Sequence, residues 1–465
     1  MIKNLRLVNF KSWEDTKDIK LSSLSGFFGT NSSGKTSLIQ SLLLLKQTVE
    51  SSDRRLTLDF GRGESSIVEL GSFADTIFKH EEQRSLEFNI LWDLPKRLKI
   101  ENPEKKIPKE ILFEGQEMGF STKITKKNGD APIVEQMNYQ FGGEIFSLKQ
   151  RTLKPKIDYF LDTEKTDFRI RMTQGRKWYP PAPTKFYGFP DEVKFYYQNA
   201  GFLSDFQYEL EQLFSRIYYL GPLRDYPKRE YTWSGEKPSD MGRRGERAVD
   251  AILVSDARKV KIARGKGNKQ WSLSEFVAYW LKELELIHSF NIKPLVDGSN
   301  YYQVWVQKTP DSTEVLLTDV GFGVSQILPV ITLCYYAPEG STLLIEQPEI
   351  HLHPKVQAGL ADVFIHATQT RNIQIILESH SEHLLRRLQR RTAEFGVNGQ
   401  DNGIDSENLS LYFCETMKGA SVISPLKLDT YGNILNYPVN FFGDEFGEIA
   451  AMNKAKIERQ KNEKN

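Results

Sequence analysis

Two short segments of the sequence carry residues that could bind a nucleotide and act on its phosphates. The first, residues 29–36 with the sequence GTNSSGKT, fits the phosphate-loop pattern G-x-x-x-x-G-K-[ST]. In that pattern backbone amides and Lys35 bind phosphate oxygens, and the Thr36 hydroxyl binds Mg²⁺. The loop lies between an apolar strand and a run with helical periodicity, which is the context that the motif requires. We therefore expect the following residues to bind ATP and its Mg²⁺: Asn31, Ser32, Ser33, Gly34, Lys35, Thr36 and Ser37.

The second segment, residues 343–354 with the sequence LLIEQPEIHLHP, has the layout of a buried strand that ends at a metal site. We expect Glu346, at the end of the strand, to contact Mg²⁺, and Gln347 to occupy the position of the base that activates water. A glutamine can orient water but cannot accept its proton at neutral pH. Three hypotheses follow. Another carboxylate such as Glu349 or Glu378 replaces the base, hydrolysis is slow, or hydrolysis is lost.

Four histidines lie in or beside the same segments: His351, His353, His380 and His383. With the glutamates they could form a zinc or nuclease site, but no Cys or Asp completes a tetrahedral set of ligands. A different interpretation applies to His380, which ends an apolar strand expected beside the strand that carries Glu346. An imidazole in that place can hydrogen-bond a γ-phosphate. We therefore assign His380, together with Gln347 and Glu349, to the predicted catalytic group.

Strands and helices alternate in the second half of the chain in a way that predicts how these residues are positioned. After residue 320 the order is loop, helix, strand, loop, helix, strand and helix, which is typical of a parallel sheet covered on both faces. Residues 95–190 instead hold short alternating runs broken by Lys, Pro and Gly, which indicate antiparallel hairpins. The expected fold class is therefore α/β, with a mostly parallel core sheet, an antiparallel β lobe and an inserted region.

Four regions are expected along the chain. Residues 1–95 would form the N-terminal part of the ATP-binding unit and residues 96–217 an inserted β-hairpin and helical region. Residues 218–445 would form the C-terminal part, with the metal strand and the histidine segment, and residues 446–465 a polar tail.

The composition is typical of a folded protein without an overall affinity for nucleic acid. Of 465 residues, 62 are Lys or Arg and 61 are Asp or Glu, so any contact with nucleic acid must be local. Cys334 and Cys414 lie in apolar surroundings, which predicts reduced core thiols and a cytoplasmic protein. No apolar run is long enough to span a bilayer, so no membrane contact is expected.

Two basic features have no assigned role in this interpretation. The stretch from Arg258 to Lys269 could contact a nucleic-acid backbone, although a solvated basic loop is the simpler interpretation. Arg224, in the segment GPLRDYP, could serve either the nucleotide or an interface, and the sequence does not choose between them.

Several segments, in the same order along the chain, resemble the ABC-type ATPase heads of the SMC, recombination and OLD-nuclease group. They are NFKSW followed by GTNSSGKTS, then DVGFGVSQILP, IEQPEIHLHP and ESHSEHLL, while YLGPLR and FFGDEFGEI are similar to one branch of that group. The resemblance implies an ATPase with ATP and Mg²⁺ sandwiched between two heads. A signature segment of one head then contacts the γ-phosphate on the other. Here that segment would contain Gly323, Ser325 and Gln326, although it departs from the common Leu-Ser-Gly-Gly-Gln pattern.

The resemblance also implies a function. ATP would drive head-to-head association into a homo-oligomer, slow hydrolysis would reset it, and a separate effector protein would act in anti-phage defence or DNA maintenance. The alternative is a nucleotide-stabilised scaffold that sequesters a toxin or nuclease with negligible turnover. The sequence after ESHS is short for the Toprim domain of OLD nucleases, so we expect no built-in nuclease.

Overall fold

The computed structural model of this chain describes eleven stretches of sequence: residues 1–63, 66–102, 110–126, 131–153, 156–164, 168–173, 179–263, 270–397, 403–438, 441–442 and 445–462. Two large sheets organise them, one of eight strands and one of six, with smaller sheets of four and two strands beside them. Within these stretches no helix is both long enough and apolar enough to cross a membrane.

The larger sheet is antiparallel throughout and comes from the first part of the chain. Its strands are Ile2–Phe10, Trp13–Asp15, Ile19–Lys20, Leu86–Glu101, Ile111–Thr125, Ile133–Phe141, Glu144–Leu153 and Lys156–Glu164. Buried residues alternate along these strands, as expected of a sheet with one face on the core. The boundary expected after residue 95 falls inside Leu86–Glu101, which pairs with Ile2–Phe10. One extended strand therefore joins the first two expected regions in a single sheet.

The six-stranded sheet positions the candidate site. In spatial order its strands are Ile217–Leu220, Thr342–Glu346, Gln374–Glu378, Leu24–Gly29, Leu409–Met417 and Ala420–Pro425. The first five pair in parallel and the last pair is antiparallel. Thr342–Glu346 and Gln374–Glu378 are buried at every position, which explains why the three residues before each final glutamate are all apolar.

Helices cover the sheets and connect the parallel strands. They are Lys35–Glu50, Phe73–Thr76, Val193–Tyr196, Leu203–Ser215, Ala248–Ala257, Leu273–Glu283, Phe322–Tyr336, Pro354–Arg371, Glu382–Glu394 and Glu445–Asn462, with 3₁₀ turns at Phe78–His80, Leu317–Asp319 and Ser406–Asn408. The remaining strands are Tyr231–Thr232, Ile262–Ala263, Gln270–Trp271, Ser289–Pro294, Tyr301–Gln307 and Val315–Leu316. The segment EVLLTDV forms the two-residue strand Val315–Leu316 followed by the 3₁₀ turn Leu317–Asp319.

The chain therefore has an α/β fold with mixed sheets, which the P-loop ATPase fold fits. The antiparallel part is larger than the sequence indicated. The strands from Leu86 to Glu164 are separated by few residues in the sequence, which only antiparallel neighbours allow, whereas parallel neighbours need a crossover such as the helix Pro354–Arg371. Both predicted core thiols, Cys334 and Cys414, are buried and free.

Candidate active site

Contacts within the chain define the shape of the phosphate loop. It follows the strand Leu24–Gly29 and ends at Gly34, whose φ of 89° is in the left-handed region. A Cβ on Gly34 would come within 2.5 Å of the Ser421 hydroxyl oxygen and 2.7 Å of that of Ser12, so only glycine fits. The indole N–H of Trp13 donates to the Gly34 carbonyl at 3.0 Å. The loop is thus held by residues from both ends of the chain.

Lys35 lies inside this loop. Its Nζ donates to the Thr30 carbonyl at 2.6 Å, to the Gly29 carbonyl at 3.2 Å and to the Ser33 hydroxyl at 3.3 Å. The residue is 3% exposed, and this burial lowers the pKa of Lys35 while Glu378 opposes the shift. The ammonium group is therefore positioned at the place where the phosphates of a nucleotide would bind.

Three parallel strands bring their carboxyl ends to the same edge of the sheet, where ligands of such folds bind. Glu378 ends the middle strand and stands in register with Phe27 on one side and Glu346 on the other. The Thr36 hydroxyl donates to Glu378 Oε1 at 3.0 Å. The structure thus brings Thr36 to Glu378, whereas Glu346, the residue expected to contact Mg²⁺, lies one strand further away.

Glu346 has its own partner on the opposite side. The Tyr219 hydroxyl, from the neighbouring strand Ile217–Leu220, donates to Glu346 Oε1 at 3.0 Å. Burial and the nearby Glu378 raise the pKa of Glu346 to about 8. Tyr219 is the first residue of YLGPLR, a segment considered from the sequence only for its resemblance, so the tyrosine was not predicted as a site residue.

Arg224 holds the backbone at the end of the Glu346 strand. Its guanidinium donates to the Glu346 carbonyl at 2.8 Å and to the Gln347 carbonyl at 2.9 Å. Arg224 is 3% exposed, and burial lowers its pKa to about 10, so it remains charged at neutral pH. The sequence left open whether Arg224 acts at the nucleotide site or at an interface, and these contacts favour the nucleotide site.

Gln347 lies in the site, in a backbone conformation with a φ of 42°. Its N–H donates to the Glu378 carbonyl at 2.8 Å, and its side chain, through a longer polar contact, favours the ionised form of Glu378. Burial nevertheless raises the pKa of Glu378. The amide of Gln347 can therefore hold water near the carboxylates but leaves the base unassigned.

Glu349 and His380 lie on adjoining loops of the site. The His380 N–H donates to Glu349 Oε1 at 2.6 Å, while Glu349 Oε2 is buried and accepts no hydrogen bond within the described residues. Burial raises the pKa of Glu349. Burial and the charge of Lys35 lower the pKa of His380, whose ring interacts with the Gly29 carbonyl. His380 therefore reaches the phosphate loop, and Glu349 lies beside it, bonded to the His380 backbone.

The other three histidines have different surroundings. His351 packs edge-on against Phe322, with ring centroids 5.1 Å apart. His353 accepts the Lys355 N–H at 3.3 Å and caps a helix, and His383 is exposed. In the part of the chain that the structure describes, no three His, Cys, Asp or Glu side chains are placed to share a metal ion.

Lys11, in the NFKSW segment, is a further cation near the carboxylates. It has a φ of 51° and its Nζ donates to Gln40 Oε1 at 2.6 Å. Burial lowers the pKa of Lys11, and the charge of Glu346 opposes the shift. The segment NFKSW was considered from the sequence only for its resemblance, so Lys11 was not predicted as a site residue.

The expected signature segment begins the helix Phe322–Tyr336. Ser325 and Gln326 are buried, and the Ser325 hydroxyl donates to the Phe322 carbonyl at 2.7 Å. Gly321 and Phe322, at the start of the helix, are exposed, and Gly323 is half-buried. In this conformation the backbone at the helix start, rather than the Ser325 hydroxyl, is accessible to a second molecule.

The basic stretch is described only in part. Arg258, Lys259 and Lys261 are exposed, and Lys261 lies 3.5 Å from Glu275. Arg264, Lys266 and Lys269 lie outside the described residues. Contact of this stretch with nucleic acid therefore stays a prediction.

Replacing Arg224 by alanine is expected to lower the free energy of unfolding by about 2–4 kcal/mol, because the Glu346 and Gln347 carbonyls would lose their donor inside the protein. Urea unfolding followed by circular dichroism measures the change. Arg229→Ala is the control, since Arg229 pairs with Asp319 on the surface and should leave the midpoint unchanged. Equal effects of the two variants would contradict the role assigned to Arg224.

Three family models match the sequence. The family described as "AAA domain, putative AbiEii toxin, Type IV TA system" matches residues 129–386, and the family described as "AAA ATPase domain" matches residues 1–174. A family of proteins of unknown function (DUF3696) matches residues 404–452. A search of curated proteins finds no match.

Among solved structures, SMC head domains are similar to this chain at low identity. An SMC head bound to the C-winged helix domain of ScpA has 11% identity, a TM-score of 0.45 and coverage of 92% of this chain and 98% of that chain. The SMC head domain from Thermotoga maritima has 10% identity, a TM-score of 0.40 and coverage of 92% and 99%. An SMC head with an extended coiled coil from Pyrococcus furiosus, bound to the C-terminal domain of ScpA, has 10% identity, a TM-score of 0.41 and coverage of 92% and 96%.

Proposed function

This chain belongs to the AAA-domain family whose model matches more than half of it, and we propose that this ATPase works as a slow switch. ATP would hold two copies head to head, and hydrolysis would release them. The observation that carries the proposal is Gln347, which stands next to the carboxylates where the water-activating base is expected. A residue that orients water without taking its proton favours a long-lived ATP-bound state.

The residues of the site fit ATP and Mg²⁺. Glu349 Oε2 and Glu378 Oε2 are buried without hydrogen-bond partners among the described residues, and burial together with Glu378 raises the pKa of Glu346 to about 8. A divalent cation would satisfy such oxygens, and Mg²⁺ combines one or two carboxylates with phosphate oxygens and water. Bound Mg²⁺ would neutralise charge on the β- and γ-phosphates. Lys35 and the loop amides would hold the phosphate oxygens in place.

Exposed apolar side chains next to the helix start support association with a second copy. Tyr226 is 68% exposed and Phe322 is 36% exposed. The Tyr226 ring contacts Phe322, and Phe322 contacts His351, with ring centroids 5.5 and 5.1 Å apart. Contiguous exposed apolar groups of this kind are typical of surfaces that bind protein. Because they surround the N-terminus of Phe322–Tyr336, a partner's phosphate at that end would be favoured by the helix dipole.

We further propose Glu349 as the general base. Among the site carboxylates, Glu378 binds the Thr36 hydroxyl of the phosphate loop and Glu346 binds Tyr219. Glu349 binds the backbone N–H of His380 and, like Glu378, keeps one buried oxygen without a partner among the described residues. Burial raises the pKa of Glu349, which makes the carboxylate a stronger proton acceptor than an exposed one.

Replacing Glu349 by glutamine is expected to slow phosphate release by about tenfold, because the amide cannot accept a proton. ATP affinity should change little, since Glu349 bonds the His380 N–H and not the phosphate loop. In the unaltered protein the rate should fall as the pH is lowered, because the base must be ionised to accept a proton. The midpoint of this fall should lie above the usual pKa of a glutamate, because the pKa of Glu349 is raised. An unchanged rate and pH profile in the variant would exclude Glu349 as the base.

The switch itself is tested by measuring phosphate release over hours and particle mass by light scattering, with and without ATP. We expect a larger assembly in ATP that decays as phosphate is released. Assembly without any release would favour the scaffold that sequesters a toxin or nuclease, and absence of assembly would contradict both.

The family description, which names a toxin and a Type IV TA system, supports a defence role with a separate effector. ATP-dependent co-purification with neighbouring gene products tests that role.

A further inference from the structure

We propose that Glu378, and not Glu346, is the carboxylate that holds the Mg²⁺ of the bound nucleotide. Glu346 is then a positioning residue that fixes the neighbouring strand end through Tyr219. The proposal rests on ATP binding at the phosphate loop, and it changes which side chain meets the metal there.

The first observation is the distance between the Thr36 hydroxyl and Glu378. The motif assigns the Thr36 oxygen to Mg²⁺, and Thr36 Oγ1 lies 3.0 Å from Glu378 Oε1. Two neighbouring ligands of an octahedral Mg²⁺ with bonds of 2.0–2.1 Å are about 3 Å apart. The pair therefore already has the spacing of two adjacent magnesium ligands.

The order of the strands gives the second observation. The strand Gln374–Glu378 pairs directly with the phosphate-loop strand, whereas Thr342–Glu346 lies beyond it. Adjacent strands are about 4.8 Å apart, so the strand end at Glu346 is roughly 10 Å from the loop strand. Glu346 Oε1 is also bound by Tyr219, which belongs to the strand on its far side.

The third observation is an unsatisfied oxygen. Glu378 is 2% exposed, and its Oε2 is buried and accepts no hydrogen bond from any residue that the structure describes. A buried carboxylate oxygen without a partner is costly, and a metal ion is the partner that a carboxylate beside a phosphate site accepts. Glu346 Oε1, by contrast, accepts the Tyr219 hydroxyl.

The two glutamates allow a matched comparison, since Glu378→Gln and Glu346→Gln remove the same charge from adjacent strand ends. Mn²⁺ binding in the presence of ATP, read by electron paramagnetic resonance, measures metal affinity directly. The Mg²⁺ concentration for half-maximal phosphate release measures it in turnover. We expect Glu378→Gln to weaken both by at least about tenfold and Glu346→Gln to change them no more than about threefold, in line with ligand and supporting roles.

Equal losses in the two variants, or a larger loss in Glu346→Gln, would overturn the proposal. Thermal unfolding without nucleotide shows whether each variant folds. Should Glu378→Gln fail to fold, Glu378→Asp serves instead, because it keeps the charge and withdraws the oxygens by one methylene. The metal affinity of that variant should again fall below that of Glu346→Asp. ATP binding and assembly of the unaltered protein test the proposed switch, whereas the glutamate variants test which carboxylate holds Mg²⁺. Either proposal can therefore fail without the other.

Discussion

Replacing Lys35 by alanine is expected to lower ATP affinity by at least about 100-fold and to abolish ATP-dependent assembly. The Lys35 ammonium is bound by the Gly29 and Thr30 carbonyls and the Ser33 hydroxyl, so it is already placed for phosphate. Each charge-assisted hydrogen bond to phosphate contributes about 1.5–3 kcal/mol, and two of them account for such a loss. Equilibrium binding of a fluorescent ATP analogue and light scattering measure the two effects.

The control for this variant is Lys17→Ala, which removes an exposed lysine paired with Asp15 on the surface. That variant should bind ATP and assemble as the unaltered protein does. Because Lys35→Ala also frees two carbonyls in the loop, thermal unfolding must show that the variant is folded. A folded Lys35→Ala protein that still assembles on ATP would refute the switch, since assembly would then not depend on phosphate binding.

The phosphate loop could be predicted from the sequence because its chemistry resides in one continuous stretch of backbone. The run with helical periodicity that follows the loop forms the helix Lys35–Glu50. The strand ending near His380 was expected beside the strand ending at Glu346, and the register of Glu346 with Glu378 confirms that prediction. The sequence of each segment was sufficient to predict these elements, because a strand buried on both faces contains a continuous run of apolar residues.

The partners within the site could not be predicted in the same way. Both Thr342–Glu346 and Gln374–Glu378 are five-residue strands with three apolar residues before a final glutamate, so their sequences do not tell which one adjoins the phosphate loop. That order decides that Thr36 meets Glu378. Tyr219 was missed for the same reason, because its contact runs across the sheet to a residue more than a hundred positions away.

The extent of the antiparallel sheet was also hidden. Hairpin patterns were visible between residues 95 and 190, but the union of these strands with the start of the chain depends on Leu86–Glu101 pairing with Ile2–Phe10. Such a pairing between distant segments leaves no periodic signal in either one. It nevertheless matters for the site, because Lys11 directly follows Ile2–Phe10 and Trp13 binds the phosphate loop.

Replacing Gln347 by glutamate is expected to raise the rate of phosphate release by about 100-fold and to shorten the life of the ATP-bound assembly. A carboxylate at this position can take the proton of the attacking water, and a positioned base contributes at least this factor. The residue is already placed for the role, since its N–H is fixed by the Glu378 carbonyl and its own carbonyl by Arg224. Single-turnover hydrolysis and the decay of light scattering after dilution measure the two effects.

The comparison with Gln347→Ala distinguishes the effect of adding a base at this position from the effect of removing the glutamine side chain. Alanine removes the water-orienting amide without supplying a base, so it should hydrolyse ATP no faster than the unaltered protein. The new carboxylate of Gln347→Glu will be repelled by Glu378, whose ionised form the present glutamine favours, and bound Mg²⁺ should offset that repulsion.

Faster turnover in Gln347→Glu with shorter-lived assembly would mean that the glutamine sets the duration of the ATP-bound state. Unchanged turnover in a folded Gln347→Glu variant would instead mean that proton transfer at Gln347 does not limit the rate. The switch would then be timed by another step, such as separation of the two copies.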